Sequence, residues 1–573
     1  MNESSVVRMR ILLGLFCLIA LGVSAKLYFI QIVNGKSYAE QADRQYSRPA
    51  NSSFDRGSIF FQSKGSDKNG NKVSVATLKE GYTLIMNPKL IGDPDDAYEA
   101  LSQYVKVDRE LFMEKAGKKN DQYEELAKRL DRDIGISIGE LKIPGIDVYK
   151  ENWRVYPGGS LAAHTIGLIG YDREDKIAGR YGLESYYENV LNRTGAANNV
   201  NFFAELFANL RGDIKGDNKN GDIIASIDPS VESELEKVLE KTQAEWKSDF
   251  IGGIIMDPKT GEIYAMAQWP TFDPNNLKEV SDPRVFSNQL VEGIYEMGSI
   301  IKPLTMAAGI DSGAVTPEST YDDKGFLLLN GKRISNYDGK ARGVVSMQEV
   351  LNQSLNIGAA TVALKVGSEE FSRYLLSFGF GELTGIDQPN EQKGKVSNLK
   401  TGREIEQATA SYGQGIAMSP IATIRAMSVI ANGGMLIKPH IIKEVQYTDG
   451  STRKVKPDPG VRVIQKETAE QVTKMLVEVV DKALRKGAVK MDHYSLAAKT
   501  GTAQIADPVN GGYYGDRYLH SFFGYFPAYS PKYIIFLYHV YPKGAQYASE
   551  TLTNPFIELT KFLINYYEIP PDR

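Results

Sequence analysis

The sequence is short of the residues that build disulfides and metal sites. Its 573 residues include one cysteine, Cys17, which excludes a disulfide framework and a thiolate metal cluster. The five histidines are scattered without metal-ligand spacing, so structural roles are expected for them: His164, His440, His493, His520 and His539. Of these, His520 could reach the edge of a cleft. The His-Glu-x-x-His, Walker and Gly-x-Gly-x-x-Gly motifs are missing too, so no metal or cofactor is predicted.

Strong net charge is also missing. The chain carries 67 basic and 71 acidic residues, a formal net charge of −4. Nucleic-acid-binding domains usually show a clear basic excess, so we predict no nucleic-acid partner. Hydrophobic residues make up 42% of the chain, which is typical of globular proteins with a real core, and the length is enough for several domains.

A single apolar run, Ile11–Val33, is long enough to cross a bilayer as a helix. Arg8 and Arg10 precede it, and positive charge favours the cytoplasmic side of a membrane. We therefore predict a cytoplasmic tail over residues 1–10, one membrane anchor, and a body outside the cytoplasm. The Gly-Val-Ser-Ala sequence before Lys26 also fits a signal-peptidase site. A cleaved signal peptide therefore stays open, and either alternative exports the protein.

Residues 34–221 alternate short strand-like pieces, such as Gly81–Pro88, with charged helical ones, such as Asp121–Leu130. They contain no compact catalytic signature, so we predict a spacer or docking domain. The best linker candidate is Arg211–Asp222, which is rich in glycine, asparagine and charge. The apolar segment Asn199–Leu210 fits a helix packed on the core of this domain, and a contact with the membrane surface or a partner stays open.

Residues 222–573 read as strands, a helical block, further strands and a closing helix. The patterns predict an amphipathic helix over Ser233–Ser248, a β-hairpin turning at Asp257–Gly261, a helix N-capped by Ser419 with Pro420 in its first turn, a buried strand over Tyr533–Tyr541, and a capped helix from Asn554–Pro555. This order is typical of a mixed α/β domain in which helices cover a sheet.

The segment Gly293–Ile310 places a serine, a lysine and a proline in an otherwise apolar stretch. If a helix begins near Ser299, Pro303 falls in its first turn, and Ser299 and Lys302 share one face. A serine needs a base to become a nucleophile, and a lysine can be that base only if burial or another cation lowers its pKa. Alone, the spacing more often marks an ordinary helix start with a snorkelling lysine.

Two further motifs change that interpretation. Ser354 and Asn356 stand two apart before an apolar helical stretch, and Lys499-Thr500-Gly501 ends an apolar, strand-like run. Alone, the first motif fits a helix cap and the second fits a turn. In the order Ser-x-x-Lys, Ser-x-Asn, Lys-Thr-Gly, the three motifs are the signature of the penicillin-interacting serine enzymes.

The chain resembles the class B penicillin-binding proteins, the monofunctional D,D-transpeptidases of bacterial cell-wall synthesis. Besides the three motifs, the resemblance rests on five segments: Phe54–Phe61, Tyr156–Tyr171, Gly179–Leu191, Ile254–Asn276 and Ala410–Gly434. It looks closest to the division-specific members, and the elongation-specific members stay open. The implied fold is mixed α/β. A transpeptidase domain over residues 222–573, with a central antiparallel sheet covered by helices, follows an α+β pedestal (dimerisation-type) domain and one N-terminal transmembrane helix.

The resemblance also implies roles for the first two motifs. Ser299 would be the acylated nucleophile, and Lys302 would be its general base. Ser354 would relay the proton, and Asn356 would hold the substrate amide. Met297 departs from the proline that often precedes the Gly-Ser pair in this family, which should affect local rigidity more than chemistry.

The third motif would bind the substrate. Lys499 would set the electrostatics of the site, and Thr500 and Thr502, on either side of Gly501, would bind the substrate carboxylate. The backbone N–H groups of Ser299 and Thr502 would form the oxyanion hole.

The implied reaction is acyl transfer through a serine acyl-enzyme, with D-alanine released from the D-Ala–D-Ala end of a peptidoglycan stem peptide. β-Lactams would trap the same serine. The resemblance implies a membrane glycosyltransferase of the shape-elongation-division-sporulation type as a partner, together with divisome or elongasome proteins. Two alternatives stay open: a hydrolase of the same superfamily (a carboxypeptidase or β-lactamase), and a non-catalytic penicillin-binding scaffold or sensor.

Overall fold

A computed structural model describes residues 14, 21–23, 26, 54–64, 72–172, 176–193 and 220–573. Nearly all of the predicted anchor, and the whole apolar segment Asn199–Leu210, lie outside the described residues. No described helix is both long and apolar enough to span a membrane. The chain divides into two compact units: a smaller unit formed by Met1–Asp55 and Leu78–Arg154, and a larger unit formed by Arg56–Thr77 and Val155–Arg573.

The smaller unit packs helices on three paired strands. The strand Lys72–Met86, whose last part lies in this unit, pairs with Glu124–Leu130 and with Ile146–Val155. Its core joins strand residues such as Leu84 to helix residues such as Phe112. The helices are Pro94–Ser102, Arg109–Gly117 and Arg132–Glu140. Asp93 and Asp108 cap the first two by accepting hydrogen bonds from free backbone N–H groups of the first turn.

The prediction of a helical stretch over Asp121–Leu130 is wrong, because Glu124–Leu130 is a strand. Its composition favours a helix, but Leu84 pairs with Ala127 and Met86 with Glu124 across the sheet. Backbone pairing and the packing of apolar strand residues therefore override a weak local preference.

A five-stranded antiparallel sheet forms the centre of the larger unit. In spatial order its strands are Ala497–Ala506, Tyr513–Phe526, Tyr533–Val540, Phe250–Met256 and Ile263–Trp269. The hairpin predicted at Asp257–Gly261 joins the last two strands. Ala497–Ala506, which we call the edge strand, lies at one end of the sheet and carries the Lys-Thr-Gly motif.

Helices cover both faces of this sheet, since successive strand residues point to opposite sides. One face packs Phe522 and Leu537 against the helices Pro229–Trp246 and Thr553–Tyr567. The other packs Phe523 and Phe536 into the main core. The longer helices of that core are Lys302–Asp311, Asn356–Val366, Ser368–Ser377, Pro420–Ala431 and Lys466–Glu478. The predicted fold class, a mixed α/β domain with a helix-covered antiparallel sheet, is confirmed for the described residues.

The remaining regular elements are short. The other strands of the larger unit are Ile59–Gln62, Ile169–Tyr171, Ile177–Gly179, Gly221–Ala225, Thr320–Asp323, Phe326–Leu329, Lys332–Ser335, Gly343–Ser346, Met435–Leu436, Ile442–Tyr447, Thr452–Lys454 and Val461–Arg462. Its other α-helices are Ala163–Ile166, Gly182–Tyr186, Glu188–Leu191, Gln289–Glu292, Met347–Asn352, Glu404–Ala410 and Ala548–Thr551. Short 3₁₀ or π turns complete it: Leu277–Glu279, Pro283–Phe286, Gly298–Ile301, Ser397–Lys400, Val479–Ala483 and Leu484–Gly487.

Two predicted helix starts can be compared with the structure. Ser419 caps the helix Pro420–Ala431 as predicted, because its side chain accepts a hydrogen bond from the Ala422 N–H. The prediction that the C-terminal helix is capped at Asn554–Pro555 is wrong. That helix begins at Thr553 without a side-chain cap, directly after the short helix Ala548–Thr551. The preceding turn of helix continues into it, so no capping side chain is needed there.

Candidate active site

The nucleophile candidate lies in a short turn ahead of a buried helix. Gly298–Ile301 forms a 3₁₀ turn, and the α-helix proper runs from Lys302 to Asp311 with Pro303 in its first turn. The expected helix start near Ser299 is therefore a 3₁₀ turn, with the α-helix beginning three residues later. Ser299 is half-buried, whereas Lys302 is only 1% exposed.

Glycine is required at position 298. Its backbone has φ +66°, and a Cβ there would lie 2.6 Å from the carbonyl oxygen of Thr502 on the edge strand. Its N–H donates to the Gly413 oxygen at 3.2 Å, where a second left-handed glycine permits the approach. The backbone ahead of Ser299 therefore lies between the edge strand and the turn at Gly413, which places the serine beside the third motif.

The Lys302 amine joins the first motif to the second. Its Nζ donates to the Ser354 carbonyl oxygen at 2.5 Å and to Asn356 Oδ1 at 2.9 Å, and it lies 3.1 Å from Ser354 Oγ. Asn356 Nδ2 donates to the Ser335 oxygen at 3.1 Å, which turns its Oδ1 toward the lysine. Both oxygens nearest the amine can only accept, so a neutral Lys302 donates its two protons to them and keeps a lone pair to accept a hydroxyl proton.

Ser354 stands between the two lysines of the site. Its backbone is left-handed, with φ +54°, a conformation that is uncommon for a serine and clusters at functional sites. Lys499 Nζ donates to Ser354 Oγ at 3.1 Å and to the Thr500 oxygen at 3.1 Å. The Ser354 hydroxyl therefore contacts both amines, which suits it to pass a proton between groups in the cavity.

Burial changes the protonation of both lysines. It holds the pKa of Lys302 well below the ordinary value of 10.5, and the positive charge of Lys499 lowers that pKa further. Burial alone lowers the pKa of Lys499 to about 7. Burial and a neighbouring cation, the two effects that can lower the pKa of a lysine base, therefore both act on Lys302.

The third motif faces this arrangement from the edge strand. A Cβ at Gly501 would lie 2.4 Å from Ser521 Oγ and 2.6 Å from the Met297 oxygen, so glycine lets the strand pack directly on the nucleophile turn. Thr502 Oγ1 accepts a hydrogen bond from the Ala548 N–H at 3.1 Å, which ties the motif to the opposite wall.

These residues share one open cavity of about 650 Å³. Six of the eight predicted site residues line it: Ser299, Ser354, Asn356, Lys499, Thr500 and Thr502. The other two, Lys302 and Gly501, lie directly behind the lining, through the hydrogen bonds and packing described above. The structure thus brings all eight residues together, although they come from a stretch of 204 residues that begins at Ser299 and ends at Thr502.

Sequence reasoning missed several side chains on the cavity walls. Arg333 and Tyr337 line one wall, and Tyr547 lines another. The Tyr337 and Tyr547 rings meet edge to face at a centroid distance of 5.8 Å. Arg333 lies on the short strand Lys332–Ser335, and the two tyrosines lie outside regular elements. The sequence carries no motif at these positions, and the only signal for the tyrosines is a general richness in that residue.

The suggestion that His520 could reach the cleft edge is wrong. His520 is fully buried, and its ring bonds to Thr551 Oγ1 at 2.9 Å and to the Gln546 oxygen at 3.1 Å, one layer behind the cavity wall. Burial lowers its pKa to about 4. Within the described ranges, no group of three His, Cys, Asp or Glu side chains could hold a metal ion.

Comparison with known proteins identifies the family. Residues 251–558 match the model of the penicillin-binding protein transpeptidase domain, and residues 56–204 match that of the penicillin-binding protein dimerisation domain. The first match alone covers more than half of the chain. The chain therefore belongs to the penicillin-binding proteins, and the two domain types together make it a class B member.

Individual relatives are similar to this chain over most of its length. Stage V sporulation protein D of Bacillus subtilis is 30% identical over 563 residues, 96% of this chain and 84% of that protein. Peptidoglycan D,D-transpeptidase FtsI of Buchnera aphidicola is 25% identical over 557 residues, 96% and 93% of the two chains. A crystal structure of Mycobacterium tuberculosis penicillin-binding protein 3 with aztreonam superposes with a TM-score of 0.67 at 23% identity, covering 91% of this chain and 98% of that one. At that identity the structural likeness speaks for the fold alone.

Proposed function

We propose that this chain is a peptidoglycan D,D-transpeptidase that cross-links stem peptides through an acyl-enzyme on Ser299. One observation carries the proposal. The Lys302 and Lys499 amines both lie 3.1 Å from the Ser354 hydroxyl, in the cavity that Ser299 lines. This is a nucleophile with a base and a proton relay, held in a desolvated site. The relative named peptidoglycan D,D-transpeptidase supports the same reaction class.

In the first half-reaction, Ser299 Oγ attacks the carbonyl carbon of the D-Ala–D-Ala amide while its proton moves to the lone pair of Lys302. The backbone N–H groups of Ser299 and Thr502 receive the developing oxyanion. The C–N bond then breaks. The departing D-alanine amine takes a proton through the Ser354 hydroxyl, which regains one from Lys302. Asn356 holds the substrate amide, and the result is an ester on Ser299 with free D-alanine.

In the second half-reaction, the amine of a neighbouring stem peptide attacks the Ser299 ester. The amine loses a proton to Lys302 by way of Ser354, the C–O bond breaks, and Ser299 recovers its proton. Thr500 and Thr502, with the partly charged Lys499 behind them, bind the terminal carboxylate of the donor peptide in the first step. A β-lactam combines a strained amide with an anionic group, so we expect it to occupy the same positions. The mycobacterial relative that forms a complex with aztreonam supports this expectation.

Product analysis tests this function. The full-length protein is given a peptide donor ending in D-Ala–D-Ala and a second stem peptide as acceptor, and dimers are separated from hydrolysed tetrapeptides. We expect acceptor-dependent dimers as the main product and none with Ser299→Ala. Hydrolysed tetrapeptide alone would favour the carboxypeptidase alternative. Unchanged cross-linking in cells whose sole copy is Ser299→Ala would favour a scaffold.

We also propose the placement of the protein in the cell. Residues 11–33 form an uncleaved anchor in the cell membrane of a bacterium, with residues 1–10 in the cytoplasm and the catalytic domain outside. The pedestal covers residues 34–221 and the transpeptidase domain residues 222–573. Arg8 and Arg10 before the apolar run support this topology. Protease added to spheroplasts should digest the catalytic domain and spare a tag at the N-terminus; protection of the catalytic domain would contradict the topology.

The resemblance to the class B penicillin-binding proteins also implies protein partners. We propose that a membrane glycosyltransferase of the shape-elongation-division-sporulation type makes the glycan strands that this protein cross-links. We assign the protein to septal wall synthesis, with lateral synthesis as the alternative, because a relative over most of the chain is named FtsI. A fluorescent fusion should concentrate at the septum; an even distribution along the side wall would favour the elongation role.

A further inference from the structure

The walls of the active-site cavity carry cations and, among the described lining residues, no carboxylate. Lys499, Arg333 and Arg485 line it, and neither Asp nor Glu does. The N–H groups of Arg485 already have acceptors within the protein. They donate hydrogen bonds to oxygen atoms of Ser549, Glu550 and Asn554, near the start of the last two helices. Arg333 makes no ion pair within the part of the chain that the structure describes. Arg333 is therefore a cation on the cavity wall that can still form an ion pair with a ligand.

Two contacts orient the exposed side chain of Arg333. It lies on the strand Lys332–Ser335, which pairs with Phe326–Leu329 so that Phe326 stands opposite Ser335. The guanidinium carbon lies 4.4 Å from the centroid of the Phe326 ring, and Nε donates to Ser335 Oγ at 3.4 Å. Stacking and this hydrogen bond orient the plane of the guanidinium, while its two terminal nitrogens bond to no described residue. A planar, pre-oriented pair of N–H donors matches a carboxylate.

The hairpin that carries Arg333 is joined to the catalytic motifs. The Ser335 oxygen accepts the hydrogen bond from Asn356 Nδ2, and Asn356 Oδ1 in turn accepts from Lys302. Arg333 is two residues from Ser335 on the same strand face, a step of about 7 Å. An extended donor peptide advances about 3.3 Å per residue. Because Ser299 and Arg333 line the same cavity, a donor peptide bound at Ser299 can extend toward the guanidinium over the one or two residues upstream of the bond that Ser299 attacks.

We propose that Arg333 is a specificity residue that binds a free carboxylate on the donor stem peptide, upstream of D-Ala–D-Ala. The enzyme would then select stem peptides in which this carboxylate is free over those in which it is amidated. This inference rests on the proposed transpeptidase function and adds the charge state of the substrate. The carboxylate can belong to the second or the third residue of the stem, since both lie upstream of the scissile bond within that reach.

The test uses three synthetic pentapeptides ending in D-Ala–D-Ala, each with a diamino dicarboxylic acid as third residue. One has free carboxylates at the second and third residues, one is amidated at the second, and one is amidated at the third. The kcat/KM for D-alanine release is measured with the full-length protein, Arg333→Met and Arg333→Lys. Lys332→Met is the matched control. Lys332 immediately precedes Arg333 and lies on the opposite face of the same strand, so the variant removes one positive charge without changing the guanidinium. Benzylpenicillin, which has no carboxylate upstream of its reactive amide, reports the state of Ser299.

The unmodified protein should prefer the free peptide to one of the two amides by about tenfold, which corresponds to about 1.4 kcal/mol. The amide that loses activity identifies the carboxylate. Arg333→Met should remove the preference by lowering kcat/KM for the two peptides that keep this carboxylate free. Arg333→Lys should keep part of the preference, and Lys332→Met should keep all of it. Penicillin should acylate Ser299 in all four proteins, which shows that each variant is folded and that its nucleophile is reactive.

Equal kcat/KM for the three peptides, or the same loss in Lys332→Met as in Arg333→Met, would overturn the assignment of Arg333. The proposed function would still stand if penicillin acylated Ser299 and D-alanine were released. Absence of both penicillin acylation and D-alanine release would instead contradict the proposed function itself, and the assignment of Arg333 with it.

Discussion

At the scale of single residues, the site depends on keeping one lysine neutral next to a serine. Lys302 has its two N–H groups directed to the Ser354 and Asn356 oxygens, and burial together with Lys499 disfavours its charged form. The sequence predicted that a second lysine would lie close enough to repel a proton from Lys302. Lys499 does lower the pKa of Lys302, but desolvation lowers it more. The Lys302 side chain is only 1% exposed, and no pattern along the chain predicts so complete a burial.

Replacing the base should separate chemistry from folding. Lys302→Met keeps the length of the side chain and removes the amine, so penicillin acylation should slow by about a thousandfold or more, the usual contribution of a general base. The variant loses the amine's unfavourable burial but leaves the Ser354 and Asn356 oxygens without this donor, which costs about 1–3 kcal/mol. We expect the protein to remain folded, which thermal unfolding checks. An acylation rate within tenfold of the unmodified protein would show that another group takes the proton of Ser299.

Stability should depend on pH through Lys499. Its pKa is about 7 in the folded protein and near the ordinary 10.5 when the chain unfolds. Between these two pH values the unfolded chain binds more protons than the folded protein does. The free energy of unfolding therefore rises with pH, by up to about 1.4 kcal/mol per pH unit. This gain in stability is lost as the pH falls toward 7. Denaturant unfolding of Lys499→Met between about pH 7.5 and pH 9 should show a smaller rise than the unmodified protein. Parallel curves for the two proteins would mean that Lys499 titrates normally.

At the scale of elements, the site is an assembly of a turn, a helix start and a sheet edge. The order of the three motifs predicted that they would meet, and the hairpin and helix patterns predicted the sheet and its cover. The failures have local causes. Glu124–Leu130 looks helical but is held as a strand by its pairing, and the helix start expected at Asn554–Pro555 is displaced by a preceding turn of helix. Arg333 and Tyr337 could not be found, because a short hairpin strand and the residues after it carry no motif that points to the cavity.

The contact between the edge strand and the nucleophile turn should be sensitive to one methyl group. Gly501→Ala would place a Cβ within 2.4 Å of Ser521 Oγ, so the strand must shift away from the turn that carries Ser299. Stability should fall by about 1–3 kcal/mol, and penicillin acylation should slow sharply. Gly515→Ala, on the neighbouring strand, is the control, because a Cβ there meets nothing within 4 Å. Equal acylation by both variants would argue that the packing does not position the serine.

At the scale of the whole molecule, the larger unit is built from two separate stretches of chain. Arg56 opens the first stretch and is 2% exposed, and its Nε donates to Glu184 Oε2 of the second stretch at 2.6 Å. A terminal nitrogen also lies 2.8 Å from Glu188 Oε2. The sequence placed Arg56 in a family motif of the pedestal but could not indicate its partner, which is 128 positions away.

This buried ion pair should matter for stability and not for chemistry. Arg56→Met leaves the Glu184 carboxylate buried without its cation, so we expect a loss of about 3–5 kcal/mol in the free energy of unfolding. Arg56→Met combined with Glu184→Met should recover part of that loss, because position 184 then no longer carries a buried charge. Penicillin acylation by folded protein should stay within about threefold, since neither residue lines the cavity. A double variant less stable than the sum of the single effects would contradict the ion-pair explanation.

Mapping of a penicillin adduct is the measurement that most directly tests Ser299 as the nucleophile. The full-length protein is incubated with benzylpenicillin, digested, and analysed by mass spectrometry, with Ser299→Ala treated in parallel. We predict one adduct per chain on the peptide that contains Ser299, lost only slowly in buffer, and no adduct in the variant. An adduct on another residue, or equal labelling of Ser299→Ala, would contradict the assignment.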